Sequence, residues 1–380
     1  MQQKVWFITG ISRGIGRSIA QAALDRGDIV IGTSRNGNGK SFRNSRNVHW
    51  LPLEVTDRDQ VFSRVSDAQR LHGQIDVVVN NAGFGMIGAI EETSIEELRY
   101  ALDVNFFGAV HVTQAVLPYL RKQRSGHIVN ISSIAGFSAP PGYGFYAAAK
   151  YALEGMSLSL RQELAPLGIH VTLVEPGAVR TSFLDEGFIR YASQEIDDYN
   201  GTAGEARRRV PQLRGKERGD PDRCAGAILH AIETPDPPVH LFLGTGAVRR
   251  AQGRVEQIVQ QLAAWEQFSN STNFPDSSLA LRHPRNLQGL QSAAVGLGGL
   301  VWSSWGTRLS IVTENSPFIR IRVRRSSHAI GWTPVVRSMM LSKLKILVMR
   351  STFCAVTGVS GFSTTLFDRL PQDLLTRERR

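Results

Sequence analysis

The sequence predicts an α/β protein: one doubly wound domain over a seven-stranded parallel sheet, followed by an atypical basic segment. Three observations carry that prediction. Short runs of Val, Ile and Leu recur at βαβ spacing through the first 180 residues. Amphipathic stretches of helical period separate them, which makes successive strands parallel with helical crossovers. The runs are solidly apolar and lack polar alternation, as strands covered on both faces must be.

Taken in order, the candidate strands are residues 5–9, 29–33, 48–53, 77–80, 127–131 and 170–174, with a seventh at 239–243. Helical patterns lie near 15–26, 57–71, 94–121 and 146–164. A helix over 222–233 opens on Asp220-Pro221, with Pro in the first turn, and a terminal helix covers 248–265. Together these describe an open, Rossmann-type sheet. Residues 182–220 break the rhythm, being rich in Asp, Glu, Arg and Gly, and an excursion of that length reads as a functional loop.

Composition narrows the class. The chain carries 44 Lys+Arg against 33 Asp+Glu, a net charge of +11. Residues 276–380 hold 15 Lys+Arg and 5 Asp+Glu, so nearly all the excess sits there and the first 275 residues are close to neutral. Nucleic-acid binding therefore has no electrostatic support from the folded part. Cys224 and Cys354 offer neither a disulfide framework nor a metal-ligand cluster, and no metal is expected. The N-terminus runs straight into a strand, and no apolar run reaches the roughly 18 to 20 residues of a membrane span. A reducing, cytoplasmic setting is the expectation. The domain is read as residues 1–275. Residues 276–380 lack sustained periodicity and read as a disordered or poorly packed extension, or as a gene-model error. Within them, 337–350 could form a basic amphipathic helix for a membrane surface.

Chemistry first appears where the first strand meets the first helix, at Thr9-Gly10-Ile11-Ser12-Arg13-Gly14-Ile15-Gly16. Glycines at these positions permit a tight turn, close approach to a pyrophosphate and close helix packing, while the helix N-terminus offers free N–H groups. Further blocks follow in order: Asn80-Asn81-Ala82-Gly83, Asn105 in VNFFG, Ser132-Ser133, Tyr146-Ala-Ala-Ala-Lys150, and Glu175-Pro176-Gly177. Together they resemble the classical short-chain dehydrogenases over roughly residues 4–275. The stretch from Asn81 through VNFFG and the EPGAVRT block is similar to the hydroxysteroid- and retinol-dehydrogenase-like subgroup.

Tyr146 and Lys150 stand i and i+4 on a helix, so both project from one face. A lysine ammonium near a phenol favours phenolate, which is expected to lower the tyrosine pKa and make Tyr146 the general acid/base. The resemblance implies that Ser133 holds the substrate oxygen, that Lys150 also binds the nicotinamide ribose, and that Asn105 anchors a relay water. Ser132 competes with Ser133, but neighbours on a strand face opposite ways, and the spacing of 13 residues to Tyr146 favours Ser133. Ala149 stands where the family usually has a serine.

For the cofactor, the end of the second strand carries no acid to bind an adenosine 2′-hydroxyl. Arg35, joined by Arg13, suits a 2′-phosphate, so NADP(H) is preferred over NAD(H). The resemblance assigns further cofactor contacts to Gly10, Ser12, Gly14, Ile15, Gly16, Glu54, Val55, Asn81, Ala82, Gly83, Pro176, Gly177, Val179 and Thr181. Residues 182–220, with Phe183, Phe188, Ile189 and Tyr191, become a substrate lid. The expected activity is interconversion of a ketone and a secondary alcohol on a small hydrophobic substrate, such as a tailoring reductase performs, by a homodimer or homotetramer. A catalytically silent NADP(H)-binding regulator of the same fold is the alternative, and the intact Asn105, Ser133, Tyr146 and Lys150 set speaks against it.

Overall fold

The computed structural model describes residues 3–274, apart from 44 and 186, and two strands beyond them. The chain divides into two units, Met1–Thr272 and Asn273–Arg380. In the second, Thr307–Val312 pairs antiparallel with Arg320–Arg325, two strands to which the sequence pattern assigned no element. The candidate helix at 337–350 lies outside the described residues.

The first unit is built on seven strands: β1 (Val5–Thr9), β2 (Ile29–Ser34), β3 (Val48–Pro52), β4 (Val77–Asn80), β6 (Gly126–Ile131), β7 (Ile169–Pro176) and β9 (His240–Leu243). All pair in parallel, in the order β3-β2-β1-β4-β6-β7-β9. The seven expected strands are these seven, with ends shifted by one or two residues. Alternate side chains enter two separate cores. Trp6, Ile8, Val77, Val79, Val129 and Ile131 pack on one face of the sheet, and Val5, Phe7, Val78 and Ile128 on the other. Both faces are therefore apolar, which is why the runs show no alternation.

Helices α1 (Gly14–Asp25), α7 (Pro221–Glu233) and α8 (Thr245–Asn270) follow the expected pattern, as do α2 (Arg58–His72) and α5 (Gly144–Leu164). Their ends carry local signals. The Asp57 carboxylate accepts from Gln60 N at 3.0 Å to open α2, and Asp220 caps α7 ahead of Pro221. The expected helix over 94–121 is instead three pieces. A capping box of Ser94 and Glu97 starts α3 (Ile95–Leu102), a π turn spans Asp103–Phe107, and α4 (Gly108–Gln123) completes it. The extra residue of a π turn is invisible to 3.6-residue periodicity.

The excursion after β7 is also structured. Its strand β8 (Ile189–Tyr191) pairs in parallel with β5 (Gly85–Ile87), and α6 (Ala203–Leu213) packs Ala206 and Val210 on Ile87 and Ile189. Among the described residues no helix is long and apolar enough to cross a membrane.

His127 on β6 is buried, with Nε2 2.9 Å from Thr172 Oγ1. Burial, with His170 nearby, pushes it down to about 3. The native state therefore keeps it neutral, while the unfolded chain protonates it near pH 6.5, so stability is lost as pH falls below that value. Chemical denaturation should show that wild type loses about 2 kcal/mol more than His127→Gln between pH 7 and pH 5. Equal losses would remove His127 from the acid response.

Candidate active site

Parallel strands place their C-terminal ends along one edge, and the strand order reverses between β1 and β4, where the chain leaves the sheet in opposite directions. A cavity of about 610 Å³ opens there. Its wall includes Gly10, Ser12, Arg13, Gly14, Ile15, Arg35, Glu54, Val55, Asn81, Ala82, Gly83, Pro176, Gly177, Val179 and Thr181, together with Asn105, Ser133, Tyr146 and Lys150. Of the expected catalytic and cofactor-contacting residues, Gly16 alone is not on it. It lies one turn into α1, where a Cβ would come 2.3 Å from Asn81 Nδ2 and 2.6 Å from Gly10 O. Gly16 therefore lets α1 seat against the β4 end.

That junction is held by one hydroxyl. Thr9 Oγ1 accepts from Asn81 N at 2.9 Å and Ala82 N at 3.0 Å. In return, Asn81 Nδ2 donates to Thr9 O at 2.9 Å and Gly10 O at 3.1 Å. Arg13 occupies the N-cap of α1 in extended conformation with no side chain closing the helix end. The first-turn N–H groups and positive dipole end thus face the cavity, a cradle that fits a pyrophosphate. Arg13 lies over the Phe188 ring, 3.5 Å from its centroid. Burial and the neighbouring Arg35 charge hold its pKa below the usual range. Two guanidiniums close enough to repel are stabilised by an anion between them. Glu54 lines the same end, with Oε1 accepting from Thr56 N at 3.2 Å and Thr56 Oγ1 at 3.1 Å.

At the other end stands α5. Tyr146 and Lys150 share its inner face and are both buried. Lys150 Nζ donates to Ile131 O at 3.0 Å and lies 5.8 Å from the Tyr146 ring centroid. The expectation that Lys150 lowers the tyrosine pKa is not met by these side chains. Burial pushes Tyr146 up to about 12, and a hydrogen bond from Ser133 offsets only part of that. Lys150 is itself pushed down by burial, to about 8, with Glu154 opposing.

Ser133 and Ser132 part as strand geometry requires. Ser133 faces Tyr146 and its Oγ accepts from Ala135 N at 3.1 Å. Ser132 turns its buried hydroxyl toward Glu154. Asn105 sits in the π turn, its Nδ2 donating to Ala101 O and its Oδ1 accepting from Phe84 N, each at 3.1 Å. Gly83 must be bare, since a Cβ would meet Asn105 Oδ1 at 2.7 Å.

The segment read as a lid divides. Phe183 and Phe188 line the cavity, with Phe183 6.2 Å from Tyr146 between ring centroids, while Ile189 is buried against α6 and Tyr191 is exposed. Tyr143, Arg190, Arg209 and Arg250 also line the cavity and carried no sequence signal. Among the contacts that tether the segment, one ion pair is buried. Glu92, 1% exposed, accepts from Arg207 Nη2 at 2.9 Å, Ala89 N at 2.7 Å and Ile196 N at 3.0 Å. Burial alone would raise this carboxyl, but the two amides and Arg207 hold it below the ordinary range.

A further cluster lies behind α5. Glu154, Glu175 and His240 bring three potential ligand atoms within 4.8 Å of one another. His240 Nδ1 already donates to Glu175 Oε1 at 2.6 Å, so the two are bonded to each other and not spread around an ion.

Residues 4–189 match the family profile described as short chain dehydrogenase. Oxidoreductase BOA17 of Botryotinia fuckeliana is 36% identical over 70% of this chain and 98% of its own. The 3-ketodihydrosphingosine reductase of Bacteroides thetaiotaomicron is 38% identical over 64% and 89%. A short-chain dehydrogenase structure from Streptomyces avermitilis superposes with a TM-score of 0.66 and 37% identity, covering 72% of this chain and all of that one.

Removing the Arg207 partner leaves a carboxylate in the interior, which costs about 3 kcal/mol when the pair is buried. Arg207→Ala should lose about that much stability in a urea titration. Cleavage in limited proteolysis should appear first between residues 193 and 209. A variant as stable and as protease-resistant as wild type would show that the Glu92–Arg207 pair does not hold the segment.

Proposed function

Because the chain belongs to the short-chain dehydrogenase family, we propose that it interconverts a ketone and a secondary alcohol on a small hydrophobic substrate, with NADP(H) preferred as cofactor. The family makes it an NAD(P)-dependent oxidoreductase. The observation that carries the finer reading is the meeting of Ser133, Tyr146 and Lys150 on one wall of the cavity whose other end is the α1 cradle. A relative named as a reductase of a keto compound supports carbonyl reduction.

When bound, the nicotinamide supplies hydride to a carbonyl carbon, or takes it from a carbinol carbon. The protein does the rest. In reduction Tyr146 gives its phenol proton to the carbonyl oxygen as charge develops there. Ser133 donates a hydrogen bond to the same oxygen, a fixed dipole aimed at the developing alkoxide. The Lys150 ammonium stabilises the phenolate left behind, and Asn105 holds the route by which the proton is replaced. Oxidation reverses each step. Burial raises the phenol, so Tyr146 holds a proton that it can give. Phe84, Phe183 and Leu184 give the substrate end its apolar wall.

NADP preference rests on Arg13 and Arg35, whose mutual repulsion a 2′-phosphate would relieve. The reading places the enzyme in the cytoplasm as a homodimer or homotetramer. Exposed Phe107, Tyr151 and Leu158 on the π turn and α5 supply an apolar face for that contact.

The full chain, mixed with NADPH and a panel of hydrophobic ketones, should consume NADPH. Tyr146→Phe should lower turnover by roughly a thousandfold while binding NADPH within a few fold of wild type. Arg35→Asp should weaken NADPH relative to NADH by at least about tenfold. Tight NADPH binding with no turnover on a broad panel would instead favour the silent regulator.

A further inference from the structure

The Glu154 cluster has no part in the chemistry above, yet it lies one helical turn from the residue on which that chemistry leans. Lys150 and Glu154 are i and i+4 on α5, on the same inward face. Glu154 is 6% exposed, and neither of its carboxylate oxygens has a hydrogen-bond partner. The Ser132 hydroxyl turns toward it short of ordinary hydrogen-bond geometry, and His240 Nδ1 stands 3.7 Å from Oε2. Gly136 marks how closely these groups gather. A Cβ there would lie 2.7 Å from Ser132 Oγ, 2.9 Å from Lys150 Cβ and 3.2 Å from Glu154 Oε1.

Glu175, fully buried on β7, accepts from Leu241 N at 2.9 Å and from His240 Nδ1 at 2.6 Å. His240, on the edge strand β9, keeps 30% of its side chain exposed. The groups facing Glu154 are thus Lys150 from its own helix, Ser132 from the end of β6, Glu175 from β7 and His240 from β9. They form a lysine, a histidine and two carboxyl groups reaching from the cavity to the surface. A buried ammonium is costly without an anion, and its hydrogen bond goes to a neutral carbonyl, Ile131 O.

We propose that Glu154, backed by Glu175 and His240, is the buried counter-charge that keeps Lys150 an ammonium, so that the charge of this lysine answers to a histidine at the surface. The inference rests on the role given above to Lys150, and Glu154 acts as a positioning residue through it. The directions agree. Burial and Glu175 push Glu154 up to about 7, while Ser132, His240 and Lys150 pull it back. Glu175 holds His240 above the ordinary imidazole range. Near neutrality the cluster therefore shares protons. When His240 is charged, Glu175 is satisfied and Glu154 can ionise against Lys150. When His240 is neutral or absent, the two carboxylates compete to hold one proton and the support for Lys150 weakens.

The test follows the Lys150 13Cε resonance through a pH titration of the full chain grown on 13C-lysine. The chain has only seven lysines, and Lys150→Arg assigns the signal. Wild type should titrate near 8. Glu154→Gln should lower that midpoint by about one pH unit. His240→Asn should lower it by less, in the same direction, and the alkaline limb of NADPH turnover should move with each. A Lys150 midpoint unmoved in folded Glu154→Gln and His240→Asn overturns the proposal. If Glu154→Gln does not fold, the half-exposed His240 position decides by the same criterion. Midpoints that move in a protein with no turnover leave this inference standing and sink the reductase reading.

Discussion

The site depends on how Thr9 joins the two halves of the sheet. β1 and β4 are neighbours from which the chain leaves in opposite directions, so their ends open a crevice that nothing in the sheet itself would hold to a fixed width. The Thr9 hydroxyl closes it by accepting two amides from the β4 end, and the Asn81 amide answers on two carbonyls of the glycine loop. Because β1 and β4 are buried on both faces, neither can shift to relax this clasp. The α1 N-terminus therefore points along a set direction, and Gly83 comes to rest against Asn105, which the π turn aims back at Phe84 N. The cradle and the wall that carries Asn105 are positioned by one set of short, mutually satisfied hydrogen bonds.

Burial then sets the charges. The same packing that holds α5 against β6 and β7 strips water from Tyr146, Lys150 and Glu154. Desolvation moves each toward its neutral form: the phenol upward, the ammonium downward, the carboxyl upward. Chemistry that needs an ammonium beside a phenol must recover that charge from neighbours, and the neighbours present are Glu154, one turn along the same face of α5, and Glu175 on β7. Desolvation thus ties the packing of α5 to the charge of all three groups.

What could be read from the chain follows the range of each interaction. The seven strands were legible because burial on both faces leaves a solid apolar run, and the glycine loop, NNAG and YxxxK blocks because each is a local pattern. Most of the residues expected at the site share one cavity wall, and Gly16 is the exception because its closeness serves α1 packing. The π turn at Asn105 was not legible, since one inserted residue leaves the surrounding helical pattern intact. Neither was α6, an Arg-rich segment containing Pro211 whose apolar side is only a few small residues wide. The short β5–β8 pair is three residues on each side and made by chain distant in sequence. The direction of the Tyr146 shift was misjudged because spacing reveals the Lys150 neighbour but not the loss of water. Glu154, Glu175 and His240 come from three elements, and only the sheet order brings them together.

The central claim is that this cavity delivers hydride to a ketone carbon. It is tested most directly with NADPH carrying deuterium at both C4 positions of the nicotinamide, the full chain and a hydrophobic ketone, the product read by mass spectrometry. The account predicts one deuterium on the carbinol carbon of the alcohol and oxidised cofactor in equal amount. Reduced cofactor left unconsumed with both deuteriums, alongside saturable NADPH binding and unchanged ketone across the panel, would contradict it.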